Sequence, residues 1–333
     1  MTNARGRTAW ILFGLVPALF LVALLVGRYG IRLDETFRAL FAPTSGGDVL
    51  RALIVRVRLP RALAAACIGA NLAMTGAAFQ GLFRNPLVDS RILGVSSGAA
   101  FGAALALLAS AGTVGLQASS FAFALVAVGL VCLIGLRFGA APLVLVVGGV
   151  LVSAFFNALL GLVKYVADPL SSLPSITYWL LGGLNDARWA TIVPLLVLTA
   201  GGLVFFLAVR WRMNVLTLSE AEASALGVRV RRFRIAVIVV GTLLIAASVA
   251  VGGIIGWIGL VVPHVARAWV GPDHGRLIPV SLALGAATLL VLDTIARTAL
   301  PSEIPLGILT GLVGVPAFFL LFLRFLRARG EAR

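Results

Sequence analysis

Apolar runs of about 20 residues recur from one end of the chain to the other, and this recurrence limits the fold more than any other feature. A helix needs roughly 20 mostly apolar residues to cross the hydrocarbon core of a bilayer, and only helices or closed barrels satisfy their backbone there. The runs are too long for barrel strands, so they predict an all-α polytopic membrane protein. Spans are expected at residues 8–29, 61–82, 92–111, 118–137, 143–166, 190–209, 233–251, 253–270, 277–297 and 306–325, about ten transmembrane helices in a single domain covering residues 1–333. Charged residues make up only 12% of the chain, against roughly 25% in ordinary soluble domains, and no separate soluble domain is expected. Arg5 and Arg7 resemble the start of a signal peptide. The run from Ala9 to Gly27, however, exceeds the usual apolar core and lacks a small-x-small cleavage site, so it reads as a retained first span.

A formal charge of +15 raises nucleic acid as a partner, and the placement of the charges argues against it. Lys164 is the only lysine, the arginines lie mainly between apolar runs, and no basic stripe is interleaved with aromatics. That placement predicts contact with anionic headgroups of the bilayer and no nucleic-acid partner. An even number of spans puts both termini on one side, and the basic flanks select the cytoplasm. The loop 210–234 then carries six arginines inside, and the tail adds Arg324, Arg327, Arg329 and Arg333. The outward segment 30–60 breaks the bias with Arg32, Arg38, Arg51, Arg56 and Arg58. Either an amphipathic surface helix or an acidic partner outside would account for it. A second outward segment, 167–189, contains Pro174, Trp179, Gly182 and Gly183 and predicts a short interfacial helix.

Catalytic chemistry is scarce. A P-loop needs Gly-x-x-x-x-Gly-Lys-Ser/Thr to cradle phosphates, and Lys164 stands between Val163 and Tyr165. The chain is therefore not expected to be an enzyme, and any ATP with its magnesium would be used by a separate polypeptide. Cys67 and Cys132 lie inside apolar runs, His264 and His274 lack ligand-spaced partners, and there is no Gly-x-Ser-x-Gly elbow. No metal site and no bound cofactor are expected. His264 reads as a packing histidine and His274, in the turn Gly-Pro-Asp-His-Gly, as a solvated one.

The remaining polar features are local. Asp293 and Arg297 are four apart on one helical face, suiting an ion pair within a span. Gln80, Asn71 and Asn157 could line a path or bond helix to helix. Among 37 glycines, the pairs Gly98/Gly102, Gly252/Gly256 and Gly307/Gly311 have the spacing that lets helices approach closely. The segment from Leu218 to Val228 reads as a complete miniature helix, with Ser219 and Glu222 as a capping box and Gly227 as its left-handed terminus. So short a helix is marginal alone, so its Ala223/Leu226 side needs a surface to pack on, either its own bundle or a cytosolic partner.

Several stretches resemble one family along the whole chain. Arg58-Leu59-Pro60-Arg61, Gln80 to Asp89 with its Arg-Asn-Pro-Leu turn, Leu93 to Ala99, Gly256 to Arg267, Asp293 to Arg297 and Pro305 to Gly311 are similar to the permeases serving ABC importers of siderophores, heme and cobalamin. The resemblance implies a ten-helix permease in the bacterial inner membrane. It also implies a homodimer with its path at the dimer axis, two cytosolic ABC ATPase subunits beneath and a periplasmic substrate-binding protein above. It implies that Arg58, Arg61 and Arg297 meet acidic groups of the binding protein. The helix carrying Ser219, Glu220, Glu222, Ala223, Leu226 and Gly227 corresponds to the family's coupling helix. Asn85 and Leu87 correspond to the cytoplasmic gate. Ala141 and Pro142 stand where the cobalamin permease uses two small hydroxyl residues, which puts a polar gate there in doubt. Heme is the cargo expected first, then ferric siderophores and cobalamin. An ion-coupled secondary transporter and a structural scaffold remain the rival classes; the first would need intramembrane carboxylates, of which only Asp293 is available.

Overall fold

The computed structural model describes residues 2–27, 30–36, 49–89, 91–139 and 141–330, without side chains for 2–13, 322 and 324–330. Arg38 and Arg333, the predicted end of the first span at Tyr29, and the side chains of Arg5, Arg7, Arg324, Arg327 and Arg329 lie outside the described residues.

Each predicted span contains a helix. The longer helices, in chain order, are α1 (Thr2–Leu25), α2 (Val49–Leu82), α3 (Val95–Leu108), α4 (Gly112–Phe138) and α5 (Pro142–Val166). There follow the short α6 (Ser172–Leu180), then α7 (Trp189–Ala208), the short α8 (Arg210–Val215) and α9 (Glu220–Ala225), α10 (Val230–Gly252), α11 (Ile258–Val270), α12 (His274–Thr298) and α13 (Leu306–Gly330). Among the described residues, six helices are long and apolar enough to cross a membrane: α2, α4, α5, α7, α10 and α12. Four more apolar stretches are shorter, Gly14–Leu25, Val95–Leu108, Ile258–Val270 and Leu306–Leu321. The segment 167–189 forms the short helix α6, which Pro174 enters at its first turn, where a missing N–H costs nothing.

Helix α2 is the centre of the bundle. Its apolar window is 89% buried, whereas those of α4, α5 and α7 are only 33%, 28% and 22% buried and present apolar side chains outward. Helices α2 and α12 approach very closely at Gly69 and Gly285. A Cβ added to Gly69 would lie 2.1 Å from the Gly285 carbonyl oxygen, and one added to Gly285 would lie 2.2 Å from that of Gly69. Without a lipid–water difference to drive helices together, such backbone contact supplies the packing energy. The expected Gly98/Gly102 pair does the same work between α3 and α4, against the carbonyls of Phe123 and Ser119. Two other pairs differ from expectation. Gly256 lies in the non-helical link before α11, so Gly252 and Gly256 form no common ridge, and Gly311 faces open space.

The predicted span 253–270 is not one helix. The chain unwinds from Gly253 to Gly256, Trp257 takes a left-handed conformation (φ 67°), and α11 restarts at Ile258. Unwound backbone within a membrane bundle must find partners in the protein. Gly183 N–H donates to the Gly252 carbonyl at 2.9 Å, while Leu306 and Gly307 N–H donate to the Gly182 and Leu181 carbonyls at 2.9 Å each. The ends of α6 and α10 and the start of α13 are thereby joined main chain to main chain.

Candidate functional site

Polar groups gather at the two ends of the α-helical stretch Leu59–Leu82 of α2. At one end, Arg61 Nε donates to Asp293 Oδ1 at 2.9 Å, and its Nη1 donates to Asn185 Oδ1 at 3.0 Å and Glu303 Oε2 at 2.9 Å. Arg297 Nε lies 3.0 Å from Asp293 Oδ2, and its Nη2 and Nη1 donate to the Ala23 and Val26 carbonyls at 3.1 and 3.3 Å. Arg58, which closes a π-helical stretch at Leu53–Arg58, donates through Nη1 to the Leu24 and Leu25 carbonyls at 2.7 and 2.9 Å. The last carbonyls of a helix have no intrahelical donor; here two arginines from other helices supply it for α1.

The structure thus brings Arg58, Arg61 and Arg297 together, and it buries all three, at 5%, 8% and 8% exposure. The expected Asp293–Arg297 pair is present. Arg61, Asn185 and Glu303 as its further members, and the carbonyls of α1, were not foreseen, because these contacts join residues as far as 274 positions apart and leave no periodic trace.

At the other end of α2 the chain reverses through Arg84, whose φ is 49°, and Asn85 Oδ1 accepts the Leu87 N–H at 2.9 Å in a side-chain-closed turn. Asn85 and Leu87 are both exposed, Arg84 Nε reaches the Leu216 carbonyl at 3.1 Å, and Asp89 pairs with Arg91 at 2.7 Å. Ala141 is the extended, exposed residue before α5, and Pro142 is its first helical residue.

Beside Leu216 lies the miniature helix α9. Ser219 Oγ accepts the Glu222 N–H at 3.2 Å and Glu222 Oε2 accepts the Ser219 N–H at 2.8 Å, the reciprocal cap expected from the sequence. The Ser219 hydroxyl first, and its N–H second, hold the Glu222 carboxyl below the usual carboxylate range. Gly227 closes the helix at φ 78°, a conformation that a side chain would strain. Glu220 pairs with Arg234 at 2.8 Å and Ala223 is buried against the chain's own bundle, while Leu226 remains 52% exposed. One side of α9 is therefore anchored and the other is open.

Among the remaining polar residues, Gln80 donates to the Leu260 carbonyl at 3.3 Å and accepts from Arg267 Nη2 at 2.9 Å, and Asn71 donates to Ser248 Oγ at 3.2 Å. Both tie helix to helix, whereas Asn157 is exposed on α5. His264 packs on its own helix, Nδ1 3.3 Å from the Leu260 carbonyl and its ring edge-on to Phe318. His274 corrects the reading of a solvated histidine. It is 2% exposed, with Nδ1 2.8 Å from Asn214 Oδ1, because Gly81 of α2 leaves room for its ring. Its neighbour Asp273 caps α12, and a hydrogen bond from Asn214 holds that carboxyl low. A cavity of about 600 Å³ lies near Asn185, lined by hydroxyl and amide groups including Ser110, Thr113, Gln117, Ser175 and Tyr178.

An all-helical bundle with apolar spans, broken helices joined backbone to backbone, and polar clusters at both ends defines the chain as a membrane permease. It belongs to the FecCD transport family, whose model matches residues 15–324. It is 38% identical over 328 residues to the molybdate import system permease protein MolB of Haemophilus influenzae, covering 95% of this chain and 96% of that one. It is 36% identical over 330 residues to the hemin transport system permease protein HmuU of Yersinia pestis, covering 97% and 98%. A solved metal-chelate type ABC transporter in an inward-facing conformation superposes with a TM-score of 0.87 at 36% identity, over 96% of this chain and 99% of that one. The chain is thus an importer permease of the ABC type, a transport subunit and not a catalytic one, and such permeases work with ATPase and binding-protein partners. The relatives' names include molybdate, hemin, cobalamin and ferric dicitrate, so the expectation of heme is not singled out, and an oxyanion cargo was not foreseen.

Proposed function

We propose that the chain forms the ten-span, homodimeric permease of an importer in the bacterial inner membrane, with both termini cytoplasmic. It would pass a metal-centred small molecule from a periplasmic binding protein to the cytoplasm by alternating access. The observation that carries this reading is the separation of two polar sites by the length of the Leu59–Leu82 stretch of α2. The Arg61 cluster lies at one end, and at the other Arg84 is bonded to Leu216, next to a capped helix whose Leu226 is unsheltered. Two sites at opposite membrane faces suit two partners, a binding protein outside and ATPase subunits inside. Helix α9 acts as the coupling helix, Leu226 entering a cleft of the ATPase, and the turn bearing Asn85 and Leu87, with Ala141 and Pro142, closes the cytoplasmic gate.

Docking at Arg58, Arg61 and Arg297 requires a partner's carboxylates to exchange for those already present. Glu303, the partner of Arg61 whose side chain is 26% exposed, is the one a docking glutamate would replace. Heme, molybdate, cobalamin and ferric chelates are all cargoes of relatives, and heme and molybdate are taken first for the test.

The test is reconstitution of the chain with its ATPase in liposomes, followed by addition of binding protein loaded with hemin or with molybdate. Stimulated hydrolysis with one cargo, abolished by Leu226→Asp, supports the reading and identifies the cargo. Uptake that follows an ion gradient without any ATPase would overturn it. Glu303→Gln should tighten binding-protein docking at low salt; an unchanged affinity would remove Arg61 from the docking site.

A further inference from the structure

Several arginines on the α9 side of the molecule are occupied. Arg84 donates to the Leu216 carbonyl, Arg231 to the Leu136 carbonyl at 2.6 Å, and Arg234 to Glu220. Arg212, Arg229 and Arg232 differ: all three are exposed, and none of their side chains has a hydrogen bond or ion pair among the described residues. They converge on one concavity of about 330 Å³, floored by Val228, Phe233 and Ala236, and no carboxylate lines it. Three like charges held around one hollow repel one another unless an anion neutralises them.

The surroundings specify the anion. Arg229 caps the first turn of α10 and Arg232 lies within it. The same face continues through Ala236, Val239 and Leu243, apolar residues of which Val239 is 44% exposed. Seven residues of helix separate Arg232 from Val239, about 10 Å of rise, so an apolar track leads away from the charges along a membrane span. A free anion would use the charges and leave the track bare. A molecule with a phosphodiester head and an acyl chain uses both.

We propose that Arg212, Arg229 and Arg232 form a binding site for the headgroup of an anionic phospholipid, with an acyl chain lying over Ala236 and Val239. The site falls in the inner leaflet if the proposed orientation of the chain holds. The site itself does not depend on that orientation, so the experiment is done in detergent, where sidedness plays no part.

Full-length protein, stripped of lipid in a nonionic detergent, is titrated with phosphatidylglycerol or phosphatidylcholine, and bound lipid is read by native mass spectrometry. Phosphatidylglycerol should bind at least tenfold more tightly than phosphatidylcholine. Each arginine near a headgroup contributes on the order of 1 kcal/mol, or about fivefold, so Arg229→Gln with Arg232→Gln should weaken binding about 25-fold. The charge-matched pair Arg51→Gln with Arg56→Gln, remote in sequence and exposed, should leave it within about twofold, and Arg229→Lys with Arg232→Lys should retain most of it. Equal phosphatidylglycerol affinity in the Arg229→Gln/Arg232→Gln protein and the parent would overturn the proposal, as would displacement of the lipid by inorganic phosphate at equal concentration. Loss of ATPase assembly in that variant with lipid binding intact would reassign the face to the partner.

Discussion

Arg61 Nε stands 2.9 Å from Asp293 Oδ1, across 232 positions of sequence, and the same carboxylate lies 3.0 Å from Arg297 Nε. One buried acid thus answers two buried bases and fixes α12 against α2 and α1.

Removal of that acid leaves Arg297 without a carboxylate and Arg61 with Glu303 as its remaining acidic partner. Asp293→Ala is expected to cost about 3–5 kcal/mol, the usual penalty for breaking a buried pair. In detergent this appears as a lowered melting temperature or loss of the folded fraction. A melting temperature equal to the parent's would mean that the arginines find water or other partners.

The contact of Gly69 with Gly285 leaves no volume for a methyl group. Gly285→Ala should push α2 and α12 apart and destabilise the fold by about 1–3 kcal/mol, whereas Gly311→Ala, where no neighbour lies within 4 Å, should be neutral. Thermal unfolding of the two variants side by side checks the difference.

Helix α9 depends on its cap. Ser219→Ala should cost the segment about 1 kcal/mol and raise proteolysis near residues 219–227 without altering the rest of the bundle. The Glu222 carboxyl has a depressed pKa in the folded state. Its contribution is therefore complete above the unfolded pKa and disappears as pH falls through the folded one. Protease sensitivity at this site should rise only when pH drops below the ordinary carboxylate range; a rise near neutral pH would contradict the assignment.

His274 joins Asn214 of α8 to the start of α12. His274→Ala removes that bond and opens a cavity against Gly81, and a loss of about 2 kcal/mol is expected in thermal melts.

What the sequence disclosed follows its physics. Features set by near neighbours were legible: the Ser219/Glu222 cap, the left-handed Gly227, the four-residue step from Asp293 to Arg297, and the apolar windows of the spans. Features made by distant chain segments were not. Arg61 gives no sign of reaching Asp293 and Glu303, nor Gly69 of touching Gly285. His274 reads as solvated from its turn because the space left by Gly81 is a property of the packed bundle. The break at Gly253–Trp257 stayed hidden because an unwound apolar stretch has the same hydropathy as a helical one.

The main-chain bonds that join Gly182, Gly252 and Gly307 have a mechanical consequence. They bind the tip of α6 to the end of α10 and the beginning of α13, so these three cannot swing independently; a motion of α6 carries the others like parts of one lever. No side chain makes this linkage, and it is admitted by the absence of side chains. A Cβ at Gly182, Gly253 or Gly307 would come within 2.8, 2.5 or 2.4 Å of a neighbouring carbonyl oxygen. Stiffness at this end is thus written as three vacancies in the sequence, and a single added methyl group would uncouple the lever where no charge or hydrogen-bonding side chain had been touched.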